Sequence, residues 1–104
     1  MSRWITVANV NELPPGRRKI VEVEGKKIGL IRTADGAFHA IEDRCTHDDG
    51  PLAEGELDGD AIVCPRHGAR FNLATGKALT LPAFGFTGRW PVRVEDDKVQ
   101  LEFE

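Results

Sequence analysis

Four residues in two short segments carry the metal chemistry that this 104-residue sequence offers. The first segment is Cys45-Thr46-His47-Asp48-Asp49-Gly50 and the second is Cys64-Pro65-Arg66-His67-Gly68. Each supplies one thiolate and one imidazole, and sixteen residues separate His47 from Cys64. Thiolates are soft, charged donors that suit iron–sulfur clusters, and imidazole also suits iron. Zinc takes the same ligand types. Common zinc fingers, however, pair Cys with Cys and His with His, whereas each segment here mixes the two. The spacing therefore points to an iron–sulfur centre, with a zinc-stabilised site as the alternative. A Cys45–Cys64 disulfide is a further alternative, disfavoured in a reducing compartment. Two neutral imidazoles in place of two thiolates remove negative charge from such a cluster, so an added electron is held more readily.

The elements that must position these ligands read as strands and turns. Ile20, Val21 and Val23 form a strand, Gly25 turns it, and Ile28 to Ile31 return as a hairpin. Asp35-Gly36 is the sharpest turn signal, and Phe38 to Ile41 then run as a strand into Cys45. Asp58-Gly59 turns into Ala61-Ile62-Val63, which delivers Cys64. Thr75-Gly76 marks another turn, and 82–88 is a loop bearing Pro and Gly. Val92 and Val94, then Val99, Leu101 and Phe103, alternate with polar residues at the period of half-buried strands. Leu52-Ala53-Glu54 is read as one helical turn. Glycines close to both ligand pairs let backbone approach a cluster, and their N–H groups can face a sulfide. The expected fold class is all-β, in one domain over 1–104, built from short antiparallel strands.

Charge and hydropathy narrow the function classes. The formal net charge is −3, which argues against nucleic acid and is compatible with a basic protein partner. No apolar run is long enough to span a bilayer, and the N-terminus lacks the tract of a signal peptide. The expectation is a cytoplasmic protein with reduced thiols and no membrane partner. His39, alone on its predicted strand, is read as structural or solvent-facing, because a metal site needs several ligands. Trp4 and Trp90 are read as packing residues, and Arg17-Arg18-Lys19 as a solvated strand edge.

With both segments in view, the chain resembles the Rieske family, whose pattern is C-x-H, a spacer of similar length, then C-x-x-H. Pro51-Leu52, Gly55, Gly68, Phe71, Thr75 and Gly76 fit the segments that follow the two ligand pairs. Pro82-Ala83 resembles the family's proline loop, and Trp90-Pro91-Val92-Arg93-Val94 the entry to its final hairpin. The resemblance spans about 20–104. It implies three small antiparallel sheets with one [2Fe–2S] cluster held between two loops at one tip. Cys45 and Cys64 would hold the inner iron, and His47 and His67 the outer iron near solvent.

The resemblance also implies a branch. The high-potential members carry an extra Cys in each loop and hydroxyl-bearing Ser and Tyr side chains near the cluster. This chain has two cysteines in all, and Ala69 and Phe71 stand at the Ser and Tyr positions. A low-potential centre is expected, near the bottom of the roughly −150 to +300 mV range of such clusters. The length leaves no room for the mononuclear-iron domain of the catalytic oxygenase subunits. The implied role is an electron carrier, not itself an enzyme: the ferredoxin component of a bacterial aromatic-ring dioxygenase system. Its partners would be a flavin-dependent NAD(P)H reductase and a terminal oxygenase. His47 and His67 would form the exit edge, with Pro65, Pro82 and Phe84 as an apolar docking patch and Asp48 and Asp49 steering. A small subunit of an assimilatory nitrite reductase and a zinc-stabilised interaction domain are the alternatives.

Overall fold

Short β-branched runs separated by Gly, Asp and Pro cannot build long elements, and the described residues form ten short strands and one 3-10 turn. The computed structural model describes residues 3–45, 52–65, 68–81, 83 and 85–103. In chain order the strands are β1 (Arg3–Asn9), β2 (Arg18–Val23), β3 (Lys26–Arg32), β4 (Phe38–Glu42), β5 (Leu57–Asp58), β6 (Ala61–Val63), β7 (Arg70–Asn72), β8 (Arg89–Trp90), β9 (Val92–Glu95) and β10 (Lys98–Phe103). The 3-10 turn, Val10–Glu12, follows β1. The strands form three antiparallel sheets, ordered β1-β10-β9, β2-β3-β4-β8 and β5-β6-β7. This is the all-β class expected from the residues, with the three antiparallel sheets that the family resemblance implies. Among the described residues no helix is long and apolar enough to cross a membrane.

The four-stranded sheet is a wall between two cores. On β3, Ile28 and Leu30 point into one core and Ile31 into the other. On β4, Ala40 and Ile41 divide in the same way. A strand buried on both faces needs an unbroken apolar run rather than alternation, which explains Ile28-Gly29-Leu30-Ile31. The first core packs this sheet against β1 and β10 through Val99, Leu101 and Phe103. Trp90 closes its edge by stacking on Phe103, with ring centroids 5.5 Å apart. The second core contains both cysteines.

Turn chemistry sets the registers. Glu24 and Gly25 adopt φ of 51° and 82° between β2 and β3, and Asp96 and Asp97 adopt 53° and 62° between β9 and β10. Two consecutive left-handed residues make the hairpin turn whose twist matches its strands, and Asp tolerates that conformation better than most residues. At Asp35-Gly36 the Asp35 carboxylate accepts bonds from the Thr33 hydroxyl and the Ala37 N–H. Val94 departs from expectation: it is half exposed although its partner Val99 is fully buried. β9 is an edge strand, so among the described residues no further strand pairs with its outer flank. β7 has no counterpart in the sequence reading, because Arg70-Phe71-Asn72 is too short to display a period.

Candidate metal centre

Cys45 follows the end of β4 by three residues, and Cys64 directly follows β6. The two sheets thereby deliver two sulfurs into one core. Cys45 is 0% exposed and Cys64 1%, and they share that core with Ile31, Ile41, Leu52, Ile62, Ala69 and Phe71. The cysteines are not joined as a disulfide. His47 and His67, together with Thr46, Asp48, Asp49, Gly50, Pro51 and Arg66, lie outside the described residues, as do Pro82 and Phe84 of the expected docking patch.

Backbone bonds close the second segment. The Cys64 N–H donates to the Ala69 carbonyl at 2.6 Å, and the Gly68 N–H donates to the Cys64 carbonyl at 3.0 Å. Gly68 turns the chain at φ 72°, a conformation that costs glycine little. The Gly68 N–H is thus engaged by the carbonyl of Cys64 within its own segment. Beyond the loop, the Leu79 N–H donates to the Arg70 carbonyl at 2.7 Å, which ties the following segment to β7.

A carboxylate closes the first segment. Asp43 Oδ1 accepts the N–H groups of both Leu52 and Ala53, each at 2.8 Å. The chain then makes one tight turn, the Gly55 N–H donating to the Leu52 carbonyl at 3.0 Å, where one helical turn was expected. That turn is wedged between strands. A Cβ on Gly29 would collide with the Ala53 side chain, and one on Gly55 with the Val63 carbonyl. Both glycines serve close approach, and the second brings the two ligand segments together.

Thr87 joins three loops. Its hydroxyl donates to the Arg44 carbonyl at 2.8 Å, and its N–H donates to the Gly76 carbonyl at 2.8 Å. The next residue, Gly88, accepts the Glu42 N–H at 2.8 Å. Neither Asp43 nor Thr87 carries a motif that composition or spacing exposes. An Asp two positions before a candidate ligand is the one signal that was available.

The donor set fits an iron–sulfur centre on its inner side. A thiolate left alone among Ile, Leu, Ala and Phe would be a buried charge at heavy cost. A metal removes that cost, since coordination stabilises the deprotonated sulfur. Ala69 and Phe71, both fully buried in this core, add no hydroxyl to it. His39 stands apart on β4, half-buried opposite Ile31. Burial pushes its imidazole pKa down, against the weaker pull of Asp35 and Asp60.

An apolar surface stands next to this core. Lys77 bridges to Phe86, and the next residue, Ala78, bridges to Phe71 and packs against the cysteine core, which includes Ala83. On the outside Leu79, Leu81 and Phe86 are exposed by 50%, 85% and 62%. Sequence reading passed over all three, because none belongs to a strand pattern.

Comparison with known proteins agrees with this geometry. The family model for the Rieske [2Fe–2S] domain matches residues 3–91. The ferredoxin component of the naphthalene 1,2-dioxygenase/salicylate 5-hydroxylase systems of a Ralstonia species is 37% identical over 101 residues, 97% of this chain and 96% of that protein. The ferredoxin subunit of a 3-phenylpropionate/cinnamic acid dioxygenase from Photorhabdus laumondii is 43% identical over 96 residues, covering 91% and 90%. A solved complex of reduced oxygenase and oxidized ferredoxin in carbazole 1,9a-dioxygenase contains a chain that superposes with a TM-score of 0.86 at 36% identity, covering 94% of this chain and 91% of that one. On these matches, and on two buried thiols delivered by neighbouring sheets, the chain belongs to the Rieske [2Fe–2S] family.

Proposed function

We propose that this protein is the electron-carrying ferredoxin of a cytoplasmic ring-hydroxylating dioxygenase system. It accepts single electrons from a flavin-dependent NAD(P)H reductase and passes them to a terminal oxygenase. It is a carrier and not itself an enzyme. Cys45 and Cys64 hold the inner iron of one [2Fe–2S] cluster, and His47 and His67 hold the outer one. When bound, the cluster supplies a reversible one-electron couple. The four side chains fill its protein coordination and leave no position for a substrate.

The observation that carries this reading is the joint burial of Cys45 and Cys64 in a core of apolar side chains. Such a core excludes water from the inner iron, and the absence of side-chain hydroxyls at Ala69 and Phe71 keeps the potential low. Leu79, Leu81 and Phe86, all exposed, form the apolar part of the docking surface for a transient partner. Pro65, exposed beside Cys64, extends this surface, and Pro82 and Phe84 are assigned to it from the sequence.

Metal analysis and electron paramagnetic resonance test the proposal. Purified protein should contain iron and acid-labile sulfide in equal amounts. After dithionite reduction it should give a spectrum with the low average g of mixed His/Cys ligation. Zinc without sulfide would end the reading. A Cys45→Ala or Cys64→Ala protein that stayed brown would end the ligand assignment.

A further inference from the structure

We infer that Thr87 is a positioning residue for the cluster, acting through the peptide bond that joins Arg44 to Cys45. The inference rests on Cys45 being an iron ligand, as proposed above. Among the described residues only Thr33 and Thr87 are both polar and buried, each 3% exposed. Thr33 belongs to the Asp35 turn. Thr87 lies on no turn of its own, and its hydroxyl is spent on the backbone of another loop.

The geometry is specific. The Thr87 Oγ1 lies 2.8 Å from the Arg44 carbonyl oxygen and 3.5 Å from that of Glu42. A hydroxyl bond is strong near 2.7–2.8 Å and is lost by about 3.5 Å, so Arg44 is the true acceptor. The Arg44 carbonyl and the Cys45 nitrogen and Cα share one rigid peptide plane. Holding the oxygen therefore restrains the plane that places the Cys45 N and Cα, leaving rotation about the N–Cα bond as the backbone freedom that aims the side chain. Thr87 itself cannot drift. Its N–H is bound to the Gly76 carbonyl, and Gly76 sits so close that a Cβ there would strike the Thr87 carbonyl. Gly76 follows the second ligand segment, so this residue relates one cysteine loop to the return of the other. A hydroxyl that is buried and bonded to the backbone of another loop, with its acceptor one residue from a ligand, has more to do than fill space, because a methyl group would fill the same space without a desolvation cost.

Two pairs of variants that differ by one hydroxyl separate positioning from packing. Thr and Thr87→Val share a shape, and Thr87→Ser and Thr87→Ala form a second, smaller pair. Each holoprotein is examined by electron paramagnetic resonance, by voltammetry and by the rate of cluster loss to a chelator. Variants without the hydroxyl should show shifted or broadened g values, a displaced midpoint potential and cluster loss faster on the order of tenfold, the effect of one hydrogen bond. Thr87→Ser should keep the wild-type spectrum and potential although it lacks the methyl. Should Thr87→Val fail to fold, the Ser and Ala pair carries the same comparison. Hydroxyl-free variants that melt earlier yet keep an unchanged spectrum and potential would reduce Thr87 to a packing residue. A wild-type protein without the mixed-ligand spectrum would instead overturn the ligand assignment, and this inference with it.

Discussion

Asp43 Oδ1 lies 2.8 Å from the backbone nitrogen of Leu52, nine positions further along the chain, and ties the residues just before Cys45 to the turn that starts at Leu52. The same oxygen also receives the Ala53 N–H. One carboxylate thus does at a loop what a capping residue does at a helix start, satisfying two adjacent N–H groups with one acceptor. Asp43→Ala should leave both donors without this partner and cost about 1–3 kcal/mol of stability. Asp43→Asn, which keeps a carbonyl acceptor, should recover much of that. Thermal unfolding of the three proteins checks the order. Cluster loss to a chelator should follow the same ranking, and equal rates would show that the loop closes without Asp43.

The half-buried His39 on β4 sets a pH dependence of its own. Burial holds its pKa below the ordinary value of about 6.5, so the folded state prefers the neutral ring. The unfolded chain then binds the extra proton first. The contribution to stability is complete above about pH 6.5 and is lost as pH falls below it. Wild-type protein should therefore lose urea resistance between pH 7.5 and 5.5, a window above the ordinary carboxylate range. His39→Gln should lose less over the same window. The comparison isolates His39, because every other titrating group is common to both proteins. Equal losses would place the sensitivity elsewhere.

Much of this architecture is legible in the sequence, and the reasons are local. Alternation exposes β10, because Val99, Leu101 and Phe103 all face one core across a sheet with one wet side. Gly59 exposes the β5–β6 hairpin, because the first residue of this two-residue turn sits at φ 58°, a conformation that favours glycine. The two cysteines that meet in one core stand out as candidate ligands because metal chemistry needs particular residue types at particular spacings. What escapes the sequence depends on tertiary contact. Val94 looks like a core residue until β9 is known to be an edge. Thr87 looks like a loop residue until its hydroxyl is seen on Arg44, forty-three positions away. Gly55 could serve any turn, and its need for glycine arises from the Val63 carbonyl of another strand.

Ala69 and Phe71 give a prediction about potential. Both side chains are fully buried in the cysteine core, so a hydroxyl introduced there has no water to bind. A donor directed at cluster sulfur binds the reduced, more negative state more strongly and raises the potential. Each kcal/mol of that preference moves a one-electron couple by about 40 mV. Ala69→Ser and Phe71→Tyr should each raise the midpoint by roughly that order, and the double variant by more. Voltammetry of the holoproteins measures it. An unmoved or lowered midpoint in both variants would mean that neither position reaches the sulfur.

Leu81 gives a prediction about partner choice. At 85% exposure it is the most exposed of the large hydrophobic residues described, and it stands with Leu79 and Phe86 outside a segment whose inner side packs on the cysteine core. A leucine in that position contributes little to folding, because a surface substitution usually changes stability by no more than about 0.5 kcal/mol. Its burial against a partner is another matter, since one anchor at an interface commonly contributes more than about 1 kcal/mol. Leu81→Asp should therefore melt like wild type and keep the same reduced spectrum. Its reduction of a terminal oxygenase should slow about fivefold or more when ferredoxin is limiting. The loss should shrink as ferredoxin is raised, because weaker docking is overcome by concentration while the electron-transfer step is unchanged. A Leu81→Asp protein that reduces the oxygenase at the wild-type rate throughout would move the docking surface away from this loop. A rate that stays low at saturation would instead implicate the geometry of the docked complex.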